Sequence, residues 1–176
     1  MAVDLKKSIR NIPDFPKKGI QFKDVTSLLK DAKAFQYSID KFAQHYDDKG
    51  ITAICGVESR GFIIGAALAY KMQLPFIPIR KKAKLPAETI SVDYNLEYGS
   101  DTLEIHTDAL SANDKVVIID DLMATGGTMF AAAQLVEKLQ AKIYEISVII
   151  DLPDLGGSDK IKEKYNFLSL VEYEGH

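Results

Sequence analysis

Asp120 and Asp121 stand side by side after an unbroken apolar run, Val116-Val-Ile-Ile119, and the chain then turns through Leu-Met-Ala-Thr-Gly-Gly to Thr128. Each part of this segment has a chemical use. Gly126 and Gly127 let the backbone approach a ligand with no Cβ in the way. Thr125 and Thr128 offer hydroxyls, and free N–H groups at the start of a helix attract an anion. Two carboxylates beside that turn can accept hydrogen bonds from the two hydroxyls of a ribose, so the segment as a whole suits a ribose 5-phosphate unit. A plainer reading makes Gly-Gly a strain-relieving turn and Asp121 a cap, and the paired acids after four apolar residues weigh against it. Two other phosphate-binding patterns are absent: no lysine follows the glycines as a P-loop requires, and Gly-x-Gly-x-x-Gly occurs nowhere.

Such a segment needs a strand before it and a helix after it. Lys115 to Ile119 reads as the clearest buried strand, and Thr128 to Gln140 as a helix with Met129, Ala132, Leu135, Val136 and Leu139 on one side. Upstream, Ile51 to Val57 and Pro75 to Ile79 read as strands around a helix from Phe62 to Met72. A basic loop (Arg80 to Lys84) follows, and Thr89 to Ile105 reads as two extended pieces joined around Glu97-Tyr-Gly-Ser-Asp101. Downstream come a strand from Ile143 to Ile150, a short helix from Ser158 to Lys164 and a closing strand from Phe167 to Val171. At the N-terminus Leu5, Ile9 and Ile12 share one helical face that Pro13 ends, and a loop leads to Ile20. Phe35, Ile39, Phe42 and Tyr46 then predict a helix from Asp31 to Asp48. Strands alternating with helices predict an α/β fold with a mostly parallel central sheet flanked by helices. Ligands of such sheets bind outside the carboxyl ends of the strands.

The chain has 176 residues, which predicts a single domain over 1–176. Apolar residues at 47% and charged residues at 27% describe an ordinary globular protein and argue against disorder. Lysine and arginine total 22 against 25 acids, for a net charge of −3, which weighs against a nucleic-acid-coating protein. The longest apolar stretch, Phe62 to Tyr70, falls short of the roughly 20 residues that span a bilayer. Met1 to Arg10 lacks the hydrophobic centre of a signal peptide. A cytoplasmic location with neither membrane nor nucleic-acid partner is therefore expected, and a chain of this length leaves no room for a regulatory appendage. Cys55 is the only cysteine and reads as a small buried strand residue. His45, His106 and His176 lie too far apart to suggest a zinc-type cluster.

Val116 to Thr128 resembles the 5-phospho-α-D-ribose 1-diphosphate motif of the type I phosphoribosyltransferases. Ile12-Pro-Asp-Phe-Pro-Lys-Lys-Gly-Ile-Gln-Phe-Lys-Asp24 is similar to the base-binding segment of that family's adenine-using members. Glu58-Ser-Arg-Gly-Phe62 resembles their pyrophosphate loop. Arg80-Lys-Lys-Ala-Lys-Leu-Pro86 and Leu96-Glu-Tyr-Gly-Ser-Asp-Thr-Leu-Glu-Ile105 resemble their basic segment and mobile catalytic loop. The likeness implies a type I phosphoribosyltransferase fold with a small N-terminal hood. Residues 1–30 would form the base-binding segment, and 31–176 a core that includes a flexible loop over 84–104. The implied reaction is one of purine salvage: adenine N9 joins ribose C1, pyrophosphate leaves and AMP is the product.

The same resemblance implies roles. Asp120, Asp121, Ala124, Thr125, Gly126, Gly127 and Thr128 would hold the ribose 5-phosphate, and Glu58, Ser59, Arg60, Arg80, Lys81, Lys84 and Tyr98 would complete the donor site. Glu97, Arg60 and Lys84 are the implied catalytic residues. Arg60 would pair bidentately with the leaving pyrophosphate, the plain alternative being a solvated arginine at a helix start. Arg80, Lys81, Lys82 and Lys84 form a run that is in part a solvated face, with Arg80 and Lys84 favoured as pyrophosphate contacts. In this family that segment can serve the neighbouring subunit's site, which implies a homodimer. Mg²⁺ is implied as cofactor, held by pyrophosphate, ribose hydroxyls and water and not directly by the protein. Gln21, Phe22, Lys23 and Leu122 are the implied adenine contacts, with Phe22 stacking on the base or else part of the core. Many members carry arginine at the Lys23 position, which leaves open whether its side chain or only its backbone meets the base. Glu97 would manage the imidazole proton of the purine, with Gly99 letting the loop fold over. Without the resemblance Glu97 is an exposed hairpin residue.

Two other functions fit the same donor. A 6-oxopurine acceptor would call for a lysine or similar donor facing the 6-oxo group, whereas the Phe22 segment looks like the adenine version. A regulator that senses the donor would call for a DNA-binding segment or a basic face, and would be favoured by loss of the loop glutamate, yet Glu97 is present.

Overall fold

A strand buried on both faces must be apolar on both, and β7 (Lys115–Met123) shows why four consecutive apolar residues belong at the centre of this molecule. Val116 and Ile118 enter one core with Met129, Ala132, Leu135 and Val136 of α5 (Gly127–Lys138). Val117 and Ile119 enter another with Phe42 of α3 (Ala32–Tyr46) and Ile64 and Leu68 of α4 (Arg60–Met72). All four strand side chains are fully buried, each contributing roughly 1.5–3 kcal/mol relative to exposure. The computed structural model describes residues 3–95 and 99–174.

Beside β7 lie β3 (Ala53–Val57) on one side and β8 (Lys142–Asp151) on the other, both parallel to it. β4 (Phe76–Lys81) extends the parallel part beyond β3, and β9 (Phe167–Glu172) extends it beyond β8. β5 (Thr89–Asn95) and β6 (Ser100–His106) form a hairpin whose second strand runs antiparallel to β4. The order is β5-β6-β4-β3-β7-β8-β9, the mostly parallel α/β sheet flanked by helices that the pattern predicts. Cys55 is fully buried in β3, and burial pushes its thiol up, out of the range of a nucleophile. Among the described residues no helix is long and apolar enough to cross a membrane.

The N-terminus corrects one expectation. Helix α1 covers only Leu5–Ser8, and the face predicted to run on to Ile12 becomes β1 (Arg10–Pro13), paired antiparallel with β2 (Gln21–Asp24). Ile12 stands opposite Phe22 in that hairpin, while Leu5 and Ile9 are buried against the main body. The Arg10 N–H is taken by Ser27 Oγ at 2.8 Å and its guanidinium pairs with Asp24, which stops the helix where its polar partners begin. A short helix, α2 (Val25–Lys30), follows with Asp24 capping it through the Thr26 N–H at 3.0 Å. Two further corrections bear on the site. β7 continues past Ile119 to Met123, so both acids lie within the strand. Arg80 and Lys81 likewise belong to β4 and not to a loop, opposite Glu104 and Leu103 of β6.

Candidate active site

Where β7 gives way to α5 the chain must reverse within four residues, and Gly126 does this with φ at +88°, a conformation that costs glycine nothing. No side chain caps α5, which leaves its first N–H groups open. The turn is gripped from behind by α6 (Gly157–Lys162), whose Gly157 N–H donates to the Ala124 carbonyl at 3.0 Å. A Cβ at Gly157 would lie 2.1 Å from that oxygen and 2.7 Å from the Gly126 nitrogen. Gly157→Ala must therefore push the turn aside, an overpacking that costs about 1–3 kcal/mol. The expected outcome is a lower Tm, read from melting curves.

Three cavities adjoin along the carboxyl ends of the strands. The first, of about 270 Å³, is lined by Glu58, Ser59, Arg60, Lys81, Asp120 and Asp121. The second, of about 200 Å³, is lined by Arg60 and by residues 120–129, and so shares Arg60 and both acids with the first. The third, of about 450 Å³ and largely apolar, lies between Gly19, Ile20, Gln21, Phe22 and Lys23 on one wall and Leu122, Ala124, Leu152 and Leu155 on the other. It shares Leu122 and Ala124 with the second. The arrangement can take an anion, a hydroxylated and phosphorylated sugar, and a flat apolar group, in that order.

Charges in the first two cavities are paired. Arg60 Nε donates to Asp121 Oδ2. Burial opposes the Arg60 charge, but the adjacent Asp121 outweighs it and the guanidinium pKa ends raised. Burial, and next the charge of Asp121, hold the Asp120 carboxyl well above the usual carboxylate range, although its Oδ1 accepts the Asp121 N–H at 2.8 Å. Glu58 is the reverse case. It accepts Arg80 Nε and Nη2, both at 3.1 Å, and the Lys81 N–H at 3.0 Å, which keep it below the usual range despite burial. Lys81 Nζ lies 3.0 Å from Asp101.

The structure thus brings together most of the residues singled out in the sequence. Glu58, Ser59, Arg60, Lys81, Asp120 and Asp121 share the first cavity, and Ala124, Thr125, Gly126, Gly127 and Thr128 line the second. Gln21, Phe22, Lys23 and Leu122 meet at the third, so Phe22 faces a cavity, and its ring packs edge-to-face with Phe15 at 5.1 Å between centroids. Arg80 and Lys84 line none of the three: Arg80 supports Glu58 and donates through Nη1 to the Lys84 carbonyl at 3.1 Å. Glu97 and Tyr98 lie outside the described residues. The strand before them reaches the turn between β7 and α5, since a Cβ on Gly127 would stand 3.1 Å from the Asn95 carbonyl. Sequence reasoning missed Leu152 and Leu155, although Leu152 directly follows β8, where the rule for parallel sheets places ligands.

The phosphoribosyl transferase domain family matches residues 24–173. The adenine phosphoribosyltransferase of Pelodictyon phaeoclathratiforme is 54% identical over 174 residues, covering 97% of this chain and 98% of that protein. The chain belongs to the adenine phosphoribosyltransferase family. Among solved structures, the adenine phosphoribosyltransferase of Thermoanaerobacter pseudethanolicus superimposes with a TM-score of 0.91 at 50% identity, covering 96% of this chain and 98% of that one. The Saccharomyces cerevisiae enzyme, solved with adenine and D-2,5-dideoxy-2,5-imino-altritol 1,6-bisphosphate, superimposes with a TM-score of 0.90 at 38% identity, covering 95% and 96%. Membership of the adenine phosphoribosyltransferases accounts for the type I fold: a mostly parallel sheet with a separate two-stranded hairpin at the N-terminus.

Proposed function

We propose that this chain transfers the 5-phosphoribosyl group of 5-phospho-α-D-ribose 1-diphosphate to N9 of adenine, forming AMP and releasing pyrophosphate. The observation that carries this reading is the row of three cavities joined through shared residues. The N9–C1 bond forms as the C1–oxygen bond to pyrophosphate breaks, so positive charge grows on the sugar and negative charge on the leaving group. Arg60 and Lys81 stand in the first cavity to meet the leaving charge as fixed cations. Asp121 accepts from the ribose hydroxyls, and the open N–H groups of α5 with Thr125 and Thr128 take the 5-phosphate. Phe22 stacks on the base. Leu122, Ala124, Leu152 and Leu155 make the opposite wall apolar, which suits the second face of a purine base.

Among the described residues no group of three or more His, Cys, Asp or Glu could hold a metal ion. Asp121 and Glu58 are taken up by Arg60 and Arg80. A Mg²⁺ would enter with the donor and would supply positive charge against that of the leaving group, with Asp120 and Asp121 assisting through the ribose and water. Glu97 serves as general acid and base toward the purine. The same reading holds residues 1–176 as one catalytic unit, active in the cytoplasm as a homodimer in which Arg80 and Lys84 serve the pyrophosphate site. A purine panel tests it: with donor and Mg²⁺, adenine alone should yield nucleotide. Turnover of hypoxanthine, guanine or xanthine in its place would assign a 6-oxopurine acceptor.

A further inference from the structure

Strands β1 and β2 form a sheet of their own, bonded to no strand of the main sheet, and a lone two-stranded hairpin is at best marginally stable in water. Yet this hairpin supplies one wall of the apolar cavity, and the end of the main sheet supplies the other. The separation of the two walls sets how tightly a flat base is held. Tyr173 spans it. Its N–H donates to the Asp151 carbonyl at 3.0 Å, one residue before Leu152, which fixes it to the sheet wall. Its ring takes the Lys23 ammonium 4.7 Å from the centroid and that of Lys6 at 5.3 Å, and its hydroxyl donates to the Lys6 carbonyl at 3.3 Å. On the hairpin, Lys23 Nζ donates to Asn11 Oδ1 at 2.9 Å, and Asn11 Nδ2 donates to Gln21 Oε1 at 2.7 Å. A continuous chain of contacts thus runs from the sheet wall through Tyr173, Lys23 and Asn11 to Gln21. Burial lowers the Lys23 pKa, in keeping with an ammonium drawn out of water against a ring.

We propose that Tyr173 and Lys23 brace the base-binding hairpin against the sheet and are positioning residues for the acceptor base, with the Lys23 side chain serving the brace and not the base. The role in catalysis rests on the reading of this cavity as the adenine site; the brace itself does not. Lys23→Met keeps the aliphatic stem and removes the charge, and Tyr173→Leu removes the ring. Both should raise the KM for adenine about tenfold, the scale of a partly desolvated cation–ring contact, while the KM for the donor stays within about twofold. Lys23→Arg and Tyr173→Phe keep cation and ring and should stay near wild type. Amide hydrogen exchange over residues 10–24, measured on the full chain without substrates, should quicken in the first pair and not in the second. Unchanged exchange overturns the brace whatever the activity. Faster exchange with an unchanged adenine KM, or an equal rise in both KM values, overturns the positioning role. A wild-type protein that makes no AMP from adenine defeats the functional reading instead, and the exchange result still decides the brace.

Discussion

Arg60→Ala should lower kcat/KM by about 10²–10³, the loss typical of removing one preorganised charge-stabilising donor. The residue opens α4 at the carboxyl end of β3, and its guanidinium reaches across to β7 to meet Asp121. That position is where the pyrophosphate oxygens arrive in the proposed reaction, and the fork of a guanidinium suits two of them at once. Arg60→Lys separates charge from geometry: it keeps the cation and loses the fork, so its kcat/KM should fall between wild type and the alanine variant. The alanine change also leaves Asp121, whose side chain is 6% exposed, without its cation. Melting temperatures belong in the same experiment for that reason: Tm should fall, while the variant stays folded at the assay temperature and still shows the catalytic loss. An alanine variant within twofold of wild type would remove Arg60 from the leaving-group site.

Glu97→Gln is the second large effect. The change preserves shape and removes the ability to take a proton, so kcat should fall by about 10²–10⁴, the usual worth of a positioned acid or base. Donor affinity, measured by titration calorimetry, should persist. The residue lies between β5 and β6, outside the described residues, but the hairpin that carries it is well anchored. Asn95 at the end of β5 stands against Gly127, and Asp101 in β6 pairs with Lys81 of the first cavity. An unchanged kcat would take Glu97 out of the proton step.

The fold was legible wherever burial imposes a period. α3 shows its Phe35, Ile39, Phe42 and Tyr46 spacing because one face of a long helix is buried, and β7 shows an unbroken run because both of its faces are. The N-terminal hairpin left no such record. Its strands have four residues each and are mostly exposed or half-buried, and side-chain contacts to Asn11, Asp24 and Ser27 hold it. Ile12 therefore mimics the continuation of a helical face that ends at Ile9. At the site, residue types and local motifs named most of the lining, but not how the charges pair. Arg60 and Asp121 are 61 positions apart, and Arg80 and Glu58 are 22 apart. Both pairings follow from the adjacency of β3, β4 and β7, which no local pattern encodes. Tyr173 was hidden for the same reason, since its partners Lys6 and Lys23 come from the other end of the chain.

The ion pairs Arg60–Asp121 and Arg80–Glu58 carry a consequence for selectivity. The cations of the site already hold their own counterions, so an arriving anion gains only the difference between its attraction to a guanidinium and that of a resident carboxylate. Free phosphate must displace a carboxylate and offers it nothing in return. A ligand that brings ribose hydroxyls along with its phosphates gives the displaced Asp121 new hydrogen bonds and so makes the exchange favourable. Discrimination against abundant inorganic anions then comes from the requirement that both halves of the ligand, anionic and hydroxylated, be present at once.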